Sequence, residues 1–90
     1  MLRISTHKNT EFLTFQLEGR LVGPWVAALR DCWKSCLTVN RGQEVQVDLS
    51  AVTFVDATGK RLLAEMCRKG AKFIARDCLM KAIVAELDQT

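Results

Sequence analysis

One histidine, one proline and no tyrosine occur among the 90 residues, and those scarcities narrow what the chain can do. Acid–base and nucleophilic catalysis draw mainly on histidine, paired carboxylates and activated hydroxyls or thiols. The single histidine, His7, stands near the N-terminus, and Asp48 and Asp56 share one strand segment with nothing to mark them as a dyad. Neither glycine-rich phosphate-binding motif is present, so the chain carries no nucleotide fingerprint. This inventory argues against an enzyme. No apolar run approaches the ~20 residues that cross a bilayer, and the opening MLRISTHKN has no apolar core of a signal peptide. The expectation is a cytoplasmic protein without membrane insertion. No repeat, low-complexity tract or linker interrupts the sequence, so residues 1–90 are expected to form a single domain with one modest core.

What is present is ordinary for a globular chain. Apolar residues make up 49%, and 13 Lys and Arg against 10 Asp and Glu leave a net charge of +3. That excess is too mild to argue for nucleic acid as a partner. Four cysteines stand at 32, 36, 67 and 78. Cys32 and Cys36 share a helix face and could form half a metal site, but the remaining ligands are missing. Reduced, buried core thiols are the expectation, with no metal and no cofactor.

The chain reads as alternating short elements. Leu2 to Thr6 suggests a strand, and Asn9 suits the turn after it. In FLTFQLEG, Leu13, Phe15 and Leu17 alternate with Thr14, Gln16 and Glu18, the period of a half-buried strand. The short connection predicts an antiparallel hairpin. In GPWVAALRDCWKSCL, Gly23 and Pro24 suit a helix start. Trp25, Val26, Leu29, Cys32, Trp33, Cys36 and Leu37 then form one apolar stripe. EVQVDLS predicts a strand with Val45, Val47 and Leu49 inward, continued by AVTFVD. From about Thr58 to Lys69, Leu62, Leu63, Met66 and Cys67 make a buried helix face, and Glu65 can pair with Arg68 and Lys69. Gly70 suits a left-handed cap, AKFIA a short strand, and Asp77 the cap of a last helix lined by Leu79, Met80, Ile83, Val84 and Leu87. The expected fold is α/β, in the order β-β-α-β-α-β-α. An N-terminal antiparallel hairpin leads into a mostly parallel sheet, because strand–helix–strand units cross over right-handed.

One junction stands out. A strand stops at Asp56, then Ala57, Thr58 and Gly59 follow before a helix begins. Functional groups of open α/β sheets gather beyond the carboxyl ends of parallel strands, and a helix N-terminus offers unpaired amides and partial positive charge. A phosphate on Thr58 would be expected among those amides. Lys60 and Arg61 oppose the helix dipole, so folding does not ask for them there; an acidic partner or phosphoryl group would. The plainer alternative has Asp56 and Thr58 as caps and both cations solvated. Trp25 falls on the apolar stripe by helical count, which assigns it to the core, while its place at the mouth of the first helix makes it a candidate interface anchor.

The stretches FQLEGRLVGPWVAALRDCW and VQVDLSAVTFVDATGKRLLAEM, with the Gly19 turn and the Asp56-Ala57-Thr58-Gly59 junction, together resemble the STAS domain, the fold of anti-sigma-factor antagonists. The similarity runs from about Leu13 to Leu87. It implies a single STAS-like domain with helices mainly on one face of the sheet. It implies a partner that is an anti-sigma factor with serine/threonine kinase activity, and Thr58 as the phosphorylated residue. Val22, Gly23, Trp25, Asp56, Ala57, Thr58, Gly59, Lys60 and Arg61 would be the partner-binding positions. Phosphorylated antagonists usually carry an acid in the loop after the second strand. Here that loop reads Gly19-Arg20-Leu21-Val22-Gly23-Pro24, with Val22 about where the acid would stand. Family members often add a further strand and helix segment. Both departures favour an alternative: a STAS accessory subunit bound to the ATPase of an ABC-type lipid transporter, or part of a signalling assembly, not switched by phosphate. A third reading is a nucleotide or small-molecule binder at the same helix N-terminus. An exposed sheet edge leaves room for a homodimer, which nothing in the sequence specifies.

Overall fold

The computed structural model describes residues 2–39, 43–76 and 78–88. Strands β1 (Leu2–Lys8) and β2 (Phe12–Leu21) form the expected antiparallel hairpin. Its turn is built on Asn9, whose side-chain oxygen accepts the amides of Glu11 at 2.9 Å and Phe12 at 2.7 Å. Helix α1 (Pro24–Val39), strand β3 (Glu44–Val55), helix α2 (Ala57–Arg68), strand β4 (Lys72–Ile74) and helix α3 (Cys78–Asp88) follow. The sheet order is β1-β2-β3-β4, with β2, β3 and β4 parallel. Leu13, Phe15 and Leu17 of β2 and Val45, Val47 and Leu49 of β3 are buried. Val26, Leu29 and Trp33 of α1, Leu62, Leu63 and Met66 of α2, and Ile83 of α3 complete that core. The alternate residues carry polar groups: Thr14 donates to Gln46 at 3.2 Å, and His7 and Gln16 are hydrogen-bonded at 3.0 Å.

At its far end β3 departs from simple alternation. Its register against β2 slips twice, between Gln16 and Glu18 and between Gly19 and Arg20, and each slip inserts one extra β3 residue. A bulge reverses which face the following residues take. The buried positions therefore run Leu49, Val52, Val55, three apart, and Phe54 turns outward. Gly19, expected at a turn, lies inside β2 at the second slip with φ +102°. Arg20 and Leu21 are also strand residues, so the expected loop from Gly19 to Pro24 shrinks to Val22 and Gly23.

Other expectations need correction. Trp25, assigned to the core by helical count, is 37% exposed, and Leu37 is 38% exposed. The apolar stripe of α1 is wider than the surface beneath it, and the buried line is Val26, Leu29 and Trp33. Cys32, Cys36 and Cys67, expected to be buried, are half-buried. Burial pushes the Cys32 thiol above its ordinary value, as do the neighbouring Cys36 charge and a hydrogen bond with it. Glu65 forms no ion pair with Arg68 or Lys69; the ion pair among the described residues is Arg3–Glu18, at 3.9 Å. Gly70 does end α2, with φ +96°. The Ala71 amide donates to the Met66 carbonyl and the Gly70 amide to that of Cys67, each at 3.0 Å, the paired bonds of a left-handed glycine cap. Asp77 and the side chains of Leu79, Met80 and Leu87 lie outside the described residues. No helix among the described residues is long and apolar enough to cross a membrane.

Candidate functional site

The junction begins with Asp56, in extended backbone (φ −82°, ψ 179°) as the N-cap of α2. One carboxylate oxygen accepts the Gly59 amide at 2.7 Å, and the other accepts the Gly23 amide at 3.0 Å. The Gly23 and Gly59 amides hold the carboxyl below its ordinary pKa, as does that of Thr58, although burial acts in the opposite direction. The Asp56 amide donates to the Leu21 carbonyl at 3.1 Å, and the Asp56 carbonyl accepts the Lys60 amide at 2.9 Å. A single residue thus ties the end of β2, the start of α1 and the first turn of α2 together.

Three small residues at this junction leave room for a close approach, and at Gly59 the approaching group belongs to the chain itself. A Cβ there would lie 2.8 Å from Val55 Cγ1, 2.9 Å from the Leu21 carbonyl oxygen and 3.1 Å from Leu21 Cγ. Gly59 is buried, and it lets the first turn of α2 settle onto the ends of β2 and β3. Ala57, Thr58, Lys60 and Arg61 are exposed around it. The bond from Gly23 to Asp56 brings the short loop after β2 to the same end, with Val22 half-buried and Trp25 exposed at the start of α1. The sequence-selected residues therefore gather at one end of the sheet, with Gly59 inside rather than on the surface.

Sequence reasoning missed two neighbours. Phe54 is 44% exposed, and the Arg20 guanidinium lies 5.3 Å from its ring centroid, within the range of a cation–π contact. Phe54, Val55, Lys60, Ala82, Ile83 and Glu86 line a pocket of about 280 Å³ between the end of β3, the start of α2 and α3. The bulges hid both residues, since they undo the alternation by which strand faces are read. Arg20, Lys60 and Arg61 take part in no ion pair among the described residues. No group of three or more metal-ligating side chains occurs among the described residues.

No family model and no curated protein matches the chain. Solved structures do. An anti-sigma factor antagonist from Mycobacterium paratuberculosis superposes with a TM-score of 0.81 at 19% identity, over 99% of this chain and 81% of that one. The anti-sigma factor antagonist SpoIIAA in its unphosphorylated form gives 0.66 at 13% identity, over 98% of this chain and 100% of that one. An antisigma-factor antagonist STAS domain from Rhodobacter sphaeroides gives 0.54 at 16% identity, over 82% and 84% of the two chains. At these identities the likeness concerns the fold, and it agrees with the element order and mixed sheet described above: the chain has a STAS-like fold.

Proposed function

We propose that the chain is a protein-binding regulatory module of the anti-sigma-factor antagonist kind, switched by phosphorylation at Thr58. The observation that carries this reading is the setting of Thr58. Its side chain is exposed on the first turn of α2, while the residues on either side of that turn, Asp56 and Gly59, are fixed by internal bonds. A phosphoryl group there adds a charge of about −1.5 to −2. The Gly59 and Lys60 amides that would receive it are already engaged by Asp56. The expectation of a phosphate seated among free helix amides is thereby weakened. The new charge would stand beside the Asp56 carboxylate and project toward a bound partner. Its effect would be repulsion and loss of burial at the interface, without a refolded domain. The partner in this reading is an anti-sigma factor with serine/threonine kinase activity; Val22, Gly23, Trp25, Ala57, Lys60 and Arg61 supply contact surface, and the domain is substrate and switch rather than enzyme.

The test is a pull-down from the host with tagged wild-type, Thr58→Ala and Thr58→Glu chains, with phosphate mapped on the wild type. Recovery of a kinase by wild type and Thr58→Ala but not by Thr58→Glu, with phosphate found on Thr58, is the expected result. Equal recovery by all three chains, with Thr58 bare, would reject the switch. A second reading draws on Val22, an apolar residue at the rim of the junction where an acid would be expected. In that reading the domain binds the ATPase subunit of an ABC-type transporter, and the Thr58 hydroxyl is irrelevant to binding.

A further inference from the structure

We propose that Cys32 and Cys36 form a two-coordinate site for a soft monovalent metal ion, Cu(I). Both stand on α1, four residues apart, so their side chains leave the same face of the helix about one turn from each other. Both are half-buried and pack against the hydrophobic core. The Cys32 thiol is hydrogen-bonded with that of Cys36. The pair lies in the second half of α1, whereas the Asp56 junction meets the start of that helix. The proposed function makes no use of it.

Helix geometry decides what this pair can hold. Cβ atoms four residues apart on a helix are about 5–6 Å from each other. A disulfide needs them at about 3.5–4.5 Å, so an intact α1 resists joining the two sulfurs directly. A metal ion between them adds about 2.3 Å on each side, and the span closes without unwinding the helix. Thiolate sulfurs select soft ions such as Cu(I). The number of ligands narrows the choice further. Structural zinc takes four, and no group of three or more His, Cys, Asp or Glu that could hold a metal occurs among the described residues. By the four-ligand rule the pair is half a site; an ion held by two sulfurs does not need the other half. The apolar surroundings also withhold the oxygen ligands that harder ions require. Binding exchanges protons for metal. Both S–H bonds break, two Cu–S bonds form, and two protons leave to solvent, with copper unchanged in oxidation state and the complex singly negative. Burial raises the Cys32 pKa, which keeps the thiol protonated and slow toward oxidants until a metal displaces the proton.

The experiment is an anaerobic titration of the whole chain with Cu(I), in buffer containing glutathione at cellular concentration, followed by native mass spectrometry. The expected result is one copper ion per chain. Cys32→Ser and Cys36→Ser should each lower the affinity at least about a hundredfold, because a second ligand on the same helix acts at high effective concentration. Cys67→Ser should bind as wild type does, since Cys67 lines a different surface, with Phe73 of β4 and Val84 of α3. A second measurement needs no variant. In the wild-type chain, bound Cu(I) should protect Cys32 and Cys36 from alkylation, mapped by peptide mass, and leave Cys67 reactive. It should also raise the melting temperature, as any ligand of the folded state does. Loss of the metal to glutathione would mean an adventitious ion only. That outcome, one ion per two chains, protection of Cys67 in place of the pair, or equal binding by Cys32→Ser and wild type would overturn the proposal.

Discussion

At Gly59 the space for a side chain is already filled by Val55 and Leu21. Replacing it by alanine is an overpacking change, and such changes typically cost about 1–3 kcal/mol. Thr58, its neighbour, is exposed, and its replacement by alanine should alter stability by no more than about 0.5 kcal/mol. Urea denaturation of the two variants checks this contrast; equal midpoints would mean that the first turn of α2 yields to the added methyl. Asp56 gives a prediction in pH. Its carboxyl titrates below the ordinary range in the folded chain, because the Gly23 and Gly59 amides bond its charged form. The stabilisation is therefore complete above the unfolded value of about 3.9 and is lost as pH falls through the lower folded value. Asp56→Asn should melt below wild type at neutral pH. The gap should close only as the pH drops below about 4. A gap that persisted unchanged at the lowest pH would show that the carboxylate charge contributes nothing.

Among the elements, α1 separates its two tryptophans most sharply. Trp33 is buried against the sheet, and Trp25 stands 37% exposed beside Gly23. Trp33→Ala should cost about 3–5 kcal/mol, as large-to-small changes in cores do. Trp25→Ala should cost less than about 1 kcal/mol and instead show its effect in partner binding. Chemical denaturation with fluorescence detection distinguishes the two; a large loss from Trp25→Ala would return that side chain to the core. In β3 the two register slips allow one strand of 12 residues to lay down a regular buried pattern and then re-aim Phe54 outward.

At the scale of the whole molecule the sheet is unequal across its width. β2 and β3 each have neighbours on both sides over part of their length, β1 is an edge, and β4 contributes three residues. Amides of Leu13–Leu17 and Val45–Leu49 should therefore exchange most slowly, and those of β4 markedly faster. Native-state hydrogen exchange followed by NMR tests this ranking; uniform protection across all four strands would contradict it. β1, the outer strand beside β2, carries Arg3 and Lys8. Charged side chains of this kind discourage pairing with a second copy.

The sequence alone determined the elements whose burial follows a simple period. Alternation in Leu13–Leu17 and Val45–Leu49 gave two strands, the helical spacing of Val26, Leu29 and Trp33 gave α1, and Asn9 and Gly70 marked the turn and cap that the structure contains. Their order led to a mostly parallel sheet behind an antiparallel hairpin, while the lateral order of the strands came from the folded chain. The Asp56–Gly59 junction was legible because small and capping residues at a strand-to-helix turn have local geometric causes. Tertiary structure decided the rest. Only the folded chain shows that Asp56 reaches Gly23, 33 residues away, and that Gly59 is small for the sake of Leu21 and Val55. Periodicity could not say how much of the α1 stripe the sheet would cover, so Trp25 was misassigned. Bulges hid Phe54 and Arg20, because a register slip depends on how two strands lie against each other and leaves no period in either one alone.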